Sequence, residues 1–60
     1  MNPRKGQLWI DSLGHEVKIV AADIVEGHPV IAYQFTHEAF EKPTIHLRSV
    51  NRLTGWRLVK

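Results

Sequence analysis

Val30-Ile31-Ala32-Tyr33-Gln34-Phe35-Thr36 sets large apolar side chains at Ile31, Tyr33 and Phe35 against Ala32, Gln34 and Thr36. Successive side chains of a strand point to opposite faces, so this period of two predicts a half-buried β-strand with Ile31, Tyr33 and Phe35 in the core. Immediately before it, Glu26-Gly27-His28-Pro29 reads as a reversal. Gly27 allows positive φ, and Pro29 would remove a ladder donor inside a strand, which places the expected strand start at Val30.

Further back, His15 to Val25 is rich in Val and Ile and reads as a long strand. Val17, Ile19 and Ala21 share one face until Ala21-Ala22 breaks the register, where a bend or bulge is expected. Asp11-Ser12-Leu13-Gly14 supplies turn chemistry, and Gln7-Leu8-Trp9-Ile10-Asp11 ahead of it reads as a first strand. Residues 1–6 hold Pro3 and Gly6 around Arg4 and Lys5 and read as a flexible lead-in, leaving 7–60 as one domain.

Forward of Thr36, the segment His37 to Lys42 is too short for an independent helix ahead of Pro43, and a loop anchored by Phe40 is expected. Thr44-Ile45-His46-Leu47-Arg48 alternates again, with Ile45 and Leu47 expected inward and His46 toward solvent. Ser49 caps one helical turn through Leu53, Gly55 terminates it, and Trp56-Arg57-Leu58-Val59 closes the chain as a last strand with Trp56 in the core. Five strands in meander order, with a single helical turn before the last, are the layout of an all-β, SH3-like, partly open barrel. The rival, a flat meander carrying a helix on one face, lacks a helix longer than about one turn.

The pieces Gly6-Gln7-Leu8-Trp9-Ile10-Asp11, Gly14, Val17, Tyr33, Phe35, and His46-Leu47 through Trp56-Arg57-Leu58-Val59 resemble short phage and prophage proteins of enteric bacteria. The resemblance implies an SH3-like barrel and a mobile-element origin. It transfers no site residue, because that family has no established molecular function or catalytic residues.

Sixty residues bury only about 60% of the surface that the unfolded chain exposes, so the core is thin and no deep pocket is expected. There is no cysteine, which closes the disulfide route and fits a reducing cytoplasm. No apolar run is long enough to span a bilayer or act as a secretion signal, so a cytoplasmic protein without membrane contact is expected.

Charge is unevenly spread along the chain. Arg4 and Lys5 at one end and Arg48, Arg52, Arg57 and Lys60 at the other are free of acids, and all six carboxylates lie between. The two ends carry +6 and the middle −4, giving a net charge of +2. First and last strands pair in an SH3-like barrel, so these cations are expected on one side, where they suit a phosphate backbone. Trp9 and Tyr33 are the candidate aromatic anchors, with Trp9 either exposed for stacking or closing one end of the core. Two other readings of the basic ends stay open: they solubilise the domain, or they meet an acidic protein surface.

His15, His28, His37 and His46 show no close-spaced ligand pair, so no metal is expected. No acid–base pair, thiol nucleophile or phosphate-cradling glycine loop emerges, so neither an enzyme, a cofactor nor a small-molecule substrate is expected. The functional expectation is a binding module that takes nucleic acid. The alternative is a regulator or inhibitor that binds a host or defence protein through an edge strand or the groove near Trp9 and Tyr33. Self-association through a barrel edge is a third course, and the oligomeric state is left open.

Overall fold

In the computed structural model, which describes residues 2–38 and 44–60, five antiparallel strands form one open sheet. They are β1 (Leu8–Ile10), β2 (Glu16–Val25), β3 (His28–Phe35), β4 (His46–Ser49) and β5 (Arg57–Leu58), in spatial order β4-β3-β2-β1-β5. Each strand up to β4 pairs with its predecessor, and β5 returns to the free side of β1. Two single-turn 3-10 segments, Thr36–Glu38 and Val50–Arg52, follow β3 and β4. The first occupies the start of the stretch read as a loop from His37, while Phe40, expected to anchor that loop, lies outside the described residues.

The β1–β2 turn is built on Asp11. Its Oδ1 accepts from the backbone N–H groups of Leu13 and His15 at 2.9 and 2.8 Å, and its own N–H donates to the His15 carbonyl at 2.9 Å. An Asp side chain that satisfies turn amides in this way replaces the ladder bonds that the reversal interrupts. The β2–β3 hairpin closes on a two-residue turn, Glu26-Gly27, with φ of 51° and 80°. Positive φ at both positions gives the twist that matches paired strands.

That tight turn draws His28 and Pro29 into β3, two residues ahead of the expected start. Val25 and His28 form the closing pair, so in the next pair, Ile24 and Pro29, the main-chain groups of Pro29 point away from β2. β4 runs alongside β3 only from Val30 to Tyr33, so no neighbour there asks Pro29 for a donor.

The register of β2 against β3 shifts between Ile19 and Ala21, one residue earlier than the Ala21-Ala22 break expected from the sequence. Because the side-chain period is two, the shift moves Ala21, Asp23 and Val25 to the outer face, and Ala22 and Ile24 take up the phase that Val17 and Ile19 held before it. The run from Ala21 to Pro29 is exposed throughout, so this end of the hairpin stands clear of the core.

The core comprises Trp9, Val17, Ile19, Ile31 and Tyr33, with Phe35, Val50, Leu53, Trp56 and Leu58 packed around it. Cross-strand pairing brings most of these together: Trp9 faces Val17 and Leu58, Ile19 faces Tyr33, and Val17 faces Phe35. β4 departs from its expected orientation. Its partners are Tyr33 for His46 and Ile31 for Arg48, and directly opposed residues share a face, so His46 and Arg48 turn to the core side. Ile45 and Leu47 are therefore outward, with Leu47 74% exposed.

Residues 2–6, read as a lead-in ahead of the domain, pack onto it. Pro3 is buried, Gly6 N–H donates to the Ile19 carbonyl at 2.8 Å, and Arg4 and Gln7 close a turn through a 3.1 Å backbone bond. At the other end Ser49 caps the 3-10 turn as expected, accepting from Asn51 N–H at 3.2 Å. Gly55 has a φ of 85°, and a Cβ there would lie 3.2 Å from that of Ser12, so both backbone and space call for glycine.

Candidate binding groove and basic surface

Trp9 is 5% exposed and belongs to the core, the second of the two placements that the sequence left open for it. Its place follows from β1, where Leu8 and Ile10 flank it and face Lys18 and Glu16 across the pair. Its indole Nε1–H donates to Gln7 Oε1 at 3.1 Å, and the same oxygen accepts from Arg4 N–H at 2.6 Å. A buried tryptophan needs a partner for its one polar group, and Gln7 provides it while tying down the N-terminal turn. Tyr33 is also buried, so it too serves the core and not an exposed contact.

Of the two tryptophans, Trp56 is the one that reaches the surface. It is half-buried, edge-on to Tyr33 with ring centroids 5.1 Å apart, and the Arg48 guanidinium carbon lies 5.5 Å from its ring centroid. A cation over an indole face is worth about 0.5–1 kcal/mol at an exposed site. Arg48 also donates from Nη1 to the Arg52 carbonyl at 3.1 Å. Two contacts thus fix the guanidinium, and with five N–H donors in its planar fork it retains capacity for an anionic ligand.

Beside this pair opens a groove of about 550 Å³ lined by Trp9, Val50, Leu53, Trp56, Arg57 and Leu58. Across the Val50–Arg52 turn lies a second, more polar recess of about 400 Å³ lined by Leu47, Arg48, Ser49 and Arg52. Among the described residues neither is lined by a carboxylate. One 3-10 turn therefore separates an aromatic, apolar hollow from a cationic one. Alternation had placed Trp56 simply in the core; that a groove opens between it, the capped turn and β5 follows from packing among segments distant in sequence.

The six candidate cations, Arg4, Lys5, Arg48, Arg52, Arg57 and Lys60, are all exposed. The main chain brings the two ends together: Leu8 N–H donates to the Lys60 carbonyl at 3.1 Å, and Val59 N–H to the Leu8 carbonyl at 2.8 Å. Arg4 and Lys5 enter the turn that leads into β1, Arg57 pairs with Ile10, and Arg48 and Arg52 sit at β4 and the turn after it. Arg48 and Arg52 are joined directly by a hydrogen bond, and Arg57 reaches the same neighbourhood through the groove wall.

A second ring cluster surrounds Phe35. His46 stacks on Tyr33 at 5.3 Å and meets Phe35 edge-on at 5.1 Å, while His15 and His37 lie 5.7 and 5.6 Å from Phe35. His15 also approaches the Asp11 carboxylate at 3.6 Å. His46 Nε2 is buried without a hydrogen-bond partner among the described residues. The expectation that His46 faces solvent is thus corrected: its ring fills the space beside Tyr33. No group of three or more metal-ligating side chains converges among the described residues.

No helix among the described residues is long and apolar enough to cross a membrane. The chain is a small all-β protein with an open five-stranded antiparallel sheet and a groove beside a cationic turn. No protein family, curated protein or solved structure matches it.

Proposed function

We propose that the protein is a non-enzymatic binding module, an SH3-like partly open barrel of phage or prophage type, that takes nucleic acid against the surface carrying Arg48, Arg52, Arg57 and Lys60. The sheet order, with the last strand beside the first and a 3-10 turn before it, supports the barrel reading. One observation carries the functional reading: exposed cations flank an aromatic groove whose lining, among the described residues, holds no carboxylate. Such a surface attracts a phosphate backbone by releasing condensed counterions, and its apolar part offers a place for a base.

The test is a titration with labelled oligonucleotides at about 50 and 200 mM salt. With about four phosphate contacts, a slope near −0.9 per contact weakens binding roughly a hundred-fold over that range. Binding that ignores salt, or none at the lower concentration, defeats the reading.

A second observation favours a protein partner. The outer face of the hairpin and β4 gathers Ala21, Val25, Val30, Ala32 and Leu47 around a hollow whose one charged lining residue among those described is Asp23, and Val25 and Leu47 are exposed. An unpaired apolar face beside the edge strand β4 suits a host or defence protein bound as a regulator binds its target. If a captured host protein is still retained after Leu47→Asp, this face is not the contact.

A further inference from the structure

We infer that the ligand is single-stranded, with one unstacked base seated in the Trp9–Trp56 groove and an adjoining phosphate in the Arg48–Arg52 recess. The inference rests on the nucleic-acid reading and narrows it. The groove is walled by Val50, Leu53, Trp56 and Leu58, with Arg57 at its margin, and so accepts a flat, largely apolar body. The neighbouring recess presents Arg48 and Arg52 and accepts an anion. The two are neighbours along the chain: Val50 and Leu53 line the groove, while Ser49 and Arg52 line the recess.

A nucleotide pairs these two chemistries over a short span. An acidic peptide side chain offers the anion alone and leaves the groove unfilled. A duplex keeps its bases stacked inside and meets the cations only. Arg48 is already held by the Trp56 ring and the Arg52 carbonyl, so its order is not created at the ligand's expense.

Both tryptophans of the chain line the groove, so intrinsic fluorescence reports directly on its occupation. The experiment compares four probes at about 50 mM salt: a single-stranded oligonucleotide, an abasic strand of equal length, a duplex, and poly-glutamate of matched charge. The expected result is saturable fluorescence change with the single strand, and affinity at least about five-fold weaker for the abasic strand, since stacking on aromatic side chains is worth that or more per base. Duplex and poly-glutamate are expected to bind more weakly still.

Arg48→Ala with Arg52→Ala should weaken the single strand and the abasic strand by the same factor, because phosphate contacts are shared by both. If the abasic strand or the duplex binds as tightly as the single strand, the base-in-groove inference falls while the nucleic-acid reading stands. If no oligonucleotide binds, both fall, and tight binding of poly-glutamate in their place identifies an acidic protein as the partner.

Discussion

Single residues show how narrow the margin of this small core is. Ile31 is fully buried between β2 and β4, and truncating a buried isoleucine to alanine costs about 2–5 kcal/mol. A chain of this length has about 3–9 kcal/mol in all, so Ile31→Ala is expected to populate the unfolded state measurably without denaturant, read by urea titration. Gln7→Ala removes the acceptor of the Trp9 indole and of Arg4 N–H together, and a loss of about 1–3 kcal/mol in the same assay is expected. His46→Phe keeps the stack on Tyr33 and deletes an Nε2 that has no partner among the described residues, so it should raise the unfolding free energy by about 1 kcal/mol, read as a higher urea midpoint; a lowered midpoint would show that the nitrogen is satisfied after all. The burial of Val17, Ile19, Ile31 and Tyr33 was legible because alternation and hydrophobicity agree there. At His46 they conflict: Ile45 and Leu47 are the more apolar pair, yet the strand opposite fixes the phase, and His46 faces Tyr33. Phase in a four-residue strand is a property of the pairing and not of the strand.

Among the elements, the β2–β3 hairpin is the best specified by local chemistry, and it also holds a strained residue. Glu26 takes a φ of 51° in the two-residue turn, a region that costs side chains other than glycine and asparagine about 1–2 kcal/mol. Glu26→Asn creates the preferred Asn-Gly pair and should raise stability by about 1 kcal/mol with an unchanged denaturant slope. The turn itself could be read from Gly27, but the inclusion of Pro29 in the strand could not, because it depends on β4 ending before it reaches that position. The bulge near Val20 was anticipated within one residue. Its effect, the turning of Ile24 to the opposite phase from the one a simple count gives, appears only once β3 supplies the register.

At the scale of the whole molecule, β5 holds both the sheet and the groove together. Arg57 and Leu58 pair with Ile10 and Trp9, and Leu58 and Trp56 both line the groove. Deleting residues 57–60 is expected to abolish cooperative unfolding and shift tryptophan emission to the red as Trp9 meets water; a truncated chain with the parent midpoint would show that β5 is dispensable. The bipolar charge pattern and the meeting of the chain ends were both legible, since six cations bracket an acidic middle and first and last strands pair. A groove was expected near Trp9 and Tyr33, but its lining was not legible: Tyr33 is buried, and Trp9, Leu53 and Trp56 are brought together by β1, the capped turn and the approach to β5. What the sequence by itself determined is therefore the local order: five extended segments, their turns, the cap at Ser49 and the charge at the two ends, all set by period, φ preference and composition. Which face of β4 is buried, where Trp9 lies and where a groove opens beside Arg48 and Trp56 were decided by the tertiary structure alone, because these depend on register and packing between strands that no short stretch of chain encodes.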